Sequence, residues 1–251
     1  MSENDADPEW VYGLHTVQTL LKTDAERLVE IRFLRGRQHD HRVKKLLTLA
    51  AALDIPVTPA GNEQLGQLAG EHHQGIIALC RGGQIHDERF LHTLLDTLTV
   101  PPLLLVVDGV TDPHNLGACL RSADAAGVHA VLAPKDRAVG ITATVRKVAS
   151  GAAEVVPFVV VTNLARALRQ LQDKGLWLVG MAGEADHPIY DVDLRGPLAL
   201  IVGAEEKGLR RLTREQCDTT AKIPMAGVVE SLNVSVAAGI CLYEAVRQRG
   251  L

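Results

Sequence analysis

The stretch Pro102-Leu103-Leu104-Leu105-Val106-Val107-Asp108-Gly109-Val110 decides the class of fold. Leu103 to Val107 is apolar without alternation, the mark of a strand buried on both faces, and a glycine-containing loop follows at once. The same signature returns at Ala130–Leu132, Val155–Val160, Leu176–Gly180 and Leu198–Val202. Between these runs, Leu116–Ala126, Thr142–Ala149 and Leu164–Lys174 carry helical spacing, and a last helix covers Val234–Arg247. Two-sided strands joined by helices predict an α/β protein on a mostly parallel sheet. Ligands of such sheets bind at the loops beyond the strand C-termini, so three loops become the candidates for chemistry.

Working outward from this core, residues 10 to about 82 read as a smaller α/β unit. Gly13–Leu21 and Arg42–Leu53 have helical spacing, Leu28–Leu34 alternates like a strand, and Gly75–Leu79 is a second, buried strand. Gly82-Gly83 marks a hinge, and a linker with one short helix runs to Pro101-Pro102. The expected division is therefore 1–82, a linker 83–100, and a main domain 101–251.

Composition narrows the classes further. Hydrophobic residues make up 47% of the chain, enough for a sizeable core, but aromatics only 3%, so aliphatic side chains must fill it. No basic region followed by an apolar stretch opens the chain, and no apolar run approaches membrane-spanning length. Cys80, Cys119, Cys217 and Cys241 are widely spaced and form no CxxC pair, which predicts free thiols in a reducing cytoplasm and no metal site. The net charge of −4 argues against a nucleic-acid partner for the chain as a whole. Locally the sign reverses: Arg32, Arg35, Arg37, Arg42, Lys44 and Lys45 face only Asp40, a cluster able to follow a phosphate backbone or to form a solvated helix face.

The first candidate loop reads Asp108-Gly109-Val110-Thr111-Asp112-Pro113-His114-Asn115, with Arg121 six residues on. Asn115 stands where a helix is expected to begin and is a candidate cap, while Arg121 within that helix calls for an anionic partner. The second loop, Gly203-Ala204-Glu205-Glu206-Lys207-Gly208, places a glycine where a ligand could approach the strand end and an acid, Glu205, able to orient a neighbour. The third, Ile223 to Gly239, sets Ser231 and Asn233 on either side of Leu232, as helix caps or site groups, with Ile223, Met225 and Leu232 able to line an adenine pocket. No GxGxxG follows the first strand, which counts against a nucleotide-binding oxidoreductase.

Taken together and in this order, the three segments resemble the signature motifs of the SpoU (TrmH-like) RNA methyltransferases. Val11-Tyr12-Gly13 and His73-Gln74-Gly75 extend the likeness to the substrate-binding domain of the branch that 2′-O-methylates a guanosine of 23S rRNA. The resemblance implies a C-terminal domain tied in a deep trefoil knot, a homodimer, and S-adenosylmethionine as cofactor with no metal. It assigns Gly203, Ile223 and Leu232, then Ala204 and Met225, to the cofactor, and Asn115, Arg121, Glu205, Ser231 and Asn233 to the active site. It makes Arg35, Arg37, Arg42, Lys44, His73 and Gln74 the candidates for RNA contact. A tRNA methyltransferase of the same fold and an RNA-binding protein without catalysis are the alternatives.

Overall fold

The computed structural model describes residues 8–70, 73–81, 85–204 and 208–250. The described residues fall into two compact units: those within Met1–Gln84 together with Ala143–Val155, and those within Ile85–Thr142 together with Val156–Leu251. Gly82-Gly83 lies outside the described residues.

The first unit runs β1 (Glu9–Tyr12), α1 (Leu14–Thr23), β2 (Leu28–Leu34), α2 (His41–Ala52), β3 (Val57–Ala60), α3 (Asn62–Ala69) and β4 (Ile76–Cys80). Its sheet has the order β1-β4-β2-β3, with β4 antiparallel to both neighbours and β3 parallel to β2. The apolar stripes of α1 (Val17, Leu20, Leu21) and α2 (Val43, Leu46, Ala50) bury against Ile31, Phe33, Ile76 and Ala78 of the sheet, as their spacing requires. Asp40 starts α2 by accepting from the Arg42 and Val43 amides.

The second unit begins with β5 (Ile85–His86) and α4 (Glu88–Thr97), then alternates β6 (Leu103–Asp108), α5 (Pro113–Ala125) and β7 (Ala130–Pro134). After helix α6 (Ala143–Ala149) it continues with β8 (Phe158–Val161), α7 (Leu164–Asp173), β9 (Trp177–Met181), β10 (His187–Pro188) and β11 (Leu198–Gly203). The short α8 (Arg211–Arg214), β12 (Thr219–Lys222) and the long α9 (Val234–Arg249) complete it. The sheet order is β10-β12-β9-β11-β6-β7-β8-β5, and each pairing is parallel. The α/β class and the parallel sheet are thus those read from the buried runs. All six residues of β6 are buried at the centre, which is why its sequence shows no alternation.

Two expectations shift. The strand anticipated from Val155 begins at Phe158, because Ala152–Glu154 forms a 3-10 turn and Pro157 offers no N–H to a ladder. The strand β12, Thr219-Thr220-Ala221-Lys222, carries no apolar run and was not expected; only Ala221 of its four residues is buried.

The turn before β8 belongs to the first unit through a buried ion cluster. The Glu154 carboxylate has no exposed surface and accepts from Arg27 Nη2 at 2.9 Å and from Arg146 Nη1. Removing it strips the buried Arg146 guanidinium of its carboxylate and leaves Arg27 with Asp24 alone, which costs about 3–5 kcal/mol for a buried pair. We therefore expect Glu154→Ala to lower the stability of this unit by that amount. Urea unfolding followed by Trp10 fluorescence in a Trp177→Phe background checks it, and an unchanged midpoint would show the cluster to be dispensable.

Candidate active site

The C-terminal ends of β6, β9, β11 and β12 converge on one edge of the sheet, where parallel α/β sheets place their ligands. Asp108 ends β6 in register with Gly203, which ends β11. The Asp108 side chain is fully buried and accepts from the Arg210 amide at 3.0 Å and from the Arg210 guanidinium. This pairing holds the chain beyond β11 against the end of β6. Gly208 donates back to the Ala204 carbonyl at 2.8 Å, closing the loop on itself. A Cβ on Gly203 would lie 2.1 Å from the Gly208 carbonyl carbon, so the glycine is required by the chain's own backbone.

The first loop ends differently from expectation. Asp112, not Asn115, caps α5: its carboxylate accepts from the His114 amide at 2.9 Å, and Pro113 takes the first helical position. Asp followed by Pro is the stronger start signal, and it places the helix origin three residues earlier. The same amide bond holds the Asp112 carboxyl below the usual carboxylate range. Asn115 is thereby turned into the interior, where its Oδ1 accepts from Asn233 Nδ2 at 2.9 Å.

Asn233 is the N-cap of α9, as its position suggested. Its Oδ1 accepts from the Ser235 amide at 2.9 Å and from Ser235 Oγ at 2.6 Å, while its Nδ2 reaches Asn115. One side chain thus starts the last helix and couples the third segment to the first.

Two adjoining pockets result. The larger, of about 580 Å³, is lined by all five residues assigned to a cofactor, Gly203, Ala204, Ile223, Met225 and Leu232, together with Ser231 and with Met181, Ala182 and Gly183 at the end of β9 and just after it. The other, of about 460 Å³, is lined by Asp108–Asp112, Asn115, Arg137 and Arg210. Ala204, Gly208 and Val234 border both. Among the described residues there is no cluster of His, Cys, Asp or Glu able to hold a metal ion. Sequence reasoning missed Asp108, Arg137 and Arg210; an Asp closing a buried strand was the available signal for the first, and nothing local marked the two arginines.

Two active-site candidates stand apart. Arg121 is on an exposed face of α5, lines neither pocket, and makes no ion pair among the described residues. Glu205 lies outside the described residues. In the first unit, Arg35, Arg42 and Lys44 are exposed. Arg37 is engaged with Asp40 at 2.6 Å and with the Gln74 carbonyl. His73 is buried, and its Nδ1 accepts from the Gly75 amide at 2.9 Å. These last three residues therefore shape the turn into β4.

Comparison with known proteins agrees with this geometry. The model of the SpoU rRNA Methylase family matches residues 102–243, and that of RNA 2′-O ribose methyltransferase substrate binding matches residues 10–85. The chain is 56% identical over 241 residues to the 23S rRNA (guanosine-2′-O-)-methyltransferase RlmB of Pseudomonas aeruginosa, covering 96% of this chain and 97% of that one. It is 58% identical over 242 residues to the RlmB of Photobacterium profundum, covering 96% and 98%. Among solved structures, the SpoU methyltransferase AviRb from Streptomyces viridochromogenes in complex with the cofactor AdoMet superposes with a TM-score of 0.78 at 25% identity, over 96% of this chain and 90% of that one. An RNA 2′-O ribose methyltransferase superposes with a TM-score of 0.77 at 29% identity, over 96% and 89%. The chain belongs to the SpoU rRNA methylase family.

Proposed function

We propose that the chain is an S-adenosylmethionine-dependent methyltransferase that modifies the ribose 2′-hydroxyl of a guanosine in 23S rRNA. The observation that carries this reading is the near-full-length identity, 56% and 58%, to relatives named for that reaction. The larger pocket fits the cofactor on its own terms. Its volume of about 580 Å³ lies within the roughly 300–1,000 Å³ of small-molecule sites. Ile223, Met225 and Leu232 offer apolar surface for a purine, Gly203 and Ala204 leave the backbone accessible, and Lys222, Glu230 and Ser231 supply polar contacts at the rim. Bound there, S-adenosylmethionine supplies a methyl on a sulfonium centre, already electrophilic and in need of no metal.

The protein's own task is to hold the ribose hydroxyl and to make loss of its proton tolerable. Asn115 lines the pocket beside the cofactor cleft and is held there by Asn233, and Ser231 shapes the near edge of the cleft. Arg121 acts electrostatically, stabilising charge on the 2′-oxygen, because a guanidinium with a pKa above about 12 is a poor proton acceptor. Glu205 orients neighbouring groups.

A homodimer completes the arrangement, with the C-terminal segment knotted as in the family. Supporting the dimer, Arg121 stands away from the cleft of its own chain, and Val236 and Tyr243 on α9 leave half their surfaces exposed. Supporting the knot, the segment after β12 runs past the ends of β9 and β11 before α9 packs on α5. The division into a substrate domain within residues 1–82 and a catalytic domain within 101–251 follows the same likeness. Arg35, Arg42 and Lys44 contact the RNA backbone, while Arg37, His73 and Gln74 shape the turn beside them. The protein works in the cytoplasm; no described helix is long and apolar enough to cross a membrane, and the four thiols are free.

The deciding measurement is transfer of labelled methyl from S-adenosylmethionine to unmodified 23S rRNA and, in parallel, to unmodified tRNA. Label on one ribose of the rRNA alone is expected. Label on tRNA alone would overturn the substrate, and no label on either RNA, ribosomal precursor included, would overturn the reaction. Two variants probe the residues. Asn233→Asp retains the cap acceptor but loses the donor to Asn115, so turnover should fall at least about ten-fold with little loss of stability, whereas Asn233→Ala should also lose about 1 kcal/mol of helix capping. Arg121→Ala should lower methyl transfer by about two to three orders of magnitude with cofactor affinity retained in calorimetry. Near-normal turnover would remove it from the reaction.

A further inference from the structure

The smaller pocket of about 460 Å³ has no ligand assigned to it by the preceding reading. Its charged walls are mostly engaged within the chain. Asp108 is enclosed by the Arg210 amide and guanidinium, and Asp112 caps α5. Arg210 uses Nε and Nη2 on Asp108 and has no bond from Nη1 among the described residues. Arg137 is exposed at the pocket edge and has no hydrogen-bond or ion-pair partner among the described residues.

The backbone of Arg137 is unusual. Its φ is +60°, a left-handed conformation that residues with a Cβ rarely adopt. Among the described residues, four that are not glycine share this conformation: Asp54, Gln74, Arg137 and Ser150. Asp54, one past the C-cap of α2, and Ser150, next after α6, stand where helices commonly end this way. Gln74 belongs to the turn whose carbonyl receives Arg37. Arg137 ends no helix. Its loop is held in place by the Val139 amide, which donates to the Val110 carbonyl at 3.0 Å. A Gly or Asn would adopt the conformation at lower cost, so the position keeps a long cation there against local preference.

We propose that this pocket binds the target nucleotide, with Arg137 and Nη1 of Arg210 on a phosphodiester that flanks the methylated ribose. The inference rests on the methyl-transfer reading, and it follows from continuity. A ribose that meets a methyl donor in the larger pocket must lie in space open to that pocket, and the smaller one shares Ala204, Gly208 and Val234 with it. Asn115, which lines the smaller pocket, is then beside the sugar, and the cations are beside its phosphates. Asp108 is a positioning residue, since it fixes the Arg210 guanidinium and leaves one face of it for the ligand.

The test compares the wild type with Arg137→Gln, Arg137→Lys and Arg137→Gly in methylation of 23S rRNA over a series of salt concentrations, with cofactor affinity and melting temperature measured alongside. Arg137→Gln and Arg137→Gly should raise KM for RNA by about ten-fold or more. They should also flatten the slope of log KM against log salt by about 0.7 to 0.9, the loss of one phosphate contact. Cofactor affinity should be unchanged, and Arg137→Lys should keep the salt slope. Arg137→Gly should in addition melt higher, because the backbone strain is relieved while RNA binding is lost. An active wild type beside Arg137→Gln with unchanged KM and salt slope would overturn the inference and leave the reaction standing. A wild type that methylates no RNA would overturn the reaction, and the inference with it.

Discussion

A carboxylate with no solvent around it is the fixed point of the second unit. Asp108 sits at the end of the central strand with its side chain fully buried, and an ion in that position is costly unless charge and hydrogen bonds enclose it. Arg210 supplies both, through its amide and its guanidinium, from a position 102 residues away. The consequence is topological. Gly208 is brought back against Gly203, at the end of β11, more closely than any side chain there would permit. The wall formed in this way, Ala204 and Gly208, is the partition shared by both pockets. Both clefts therefore border a segment held by one ion pair whose carboxylate is fully buried.

What the sequence disclosed and what it withheld divide along physical lines. Strands enclosed on two faces have to be apolar throughout, so β6, β7, β9 and β11 were legible from their runs alone. β12 was hidden because three of its four residues remain partly exposed and carry hydroxyl or ammonium groups. The residues expected around a cofactor come together because they sit at strand ends and in the segment before α9, where position along the chain dictates position in space. Of the two roles open to Asn115, the cap falls away because capping is a competition: Asp112-Pro113 wins it and frees Asn115 for the interior. Long-range partners left no local trace. The carboxylate of Glu154 meets an arginine 127 residues away, and the left-handed backbone of Arg137 has no counterpart in its residue type.

The polar groups of the site differ in how firmly they are held, and the difference bears on how the proposed reaction is controlled. Asn115 and Asn233 fix each other, and Asn233 is fixed again by the start of α9, so neither can turn away without cost to the helix. Such preorganisation belongs where a group must meet a forming transition state without first rearranging. Arg121 has no such support. An exposed guanidinium is screened by water and salt, and it does little for a charge it does not approach. Its effect becomes large only when another surface, a second copy of the chain in the proposed dimer, encloses it and lowers the local dielectric. In the proposed dimer the donor pocket would be complete within one chain while the charge of Arg121 would wait on assembly. That separation would confine strong electrostatic stabilisation to the assembled form, where the acceptor is a ribose held in place and not a passing water molecule.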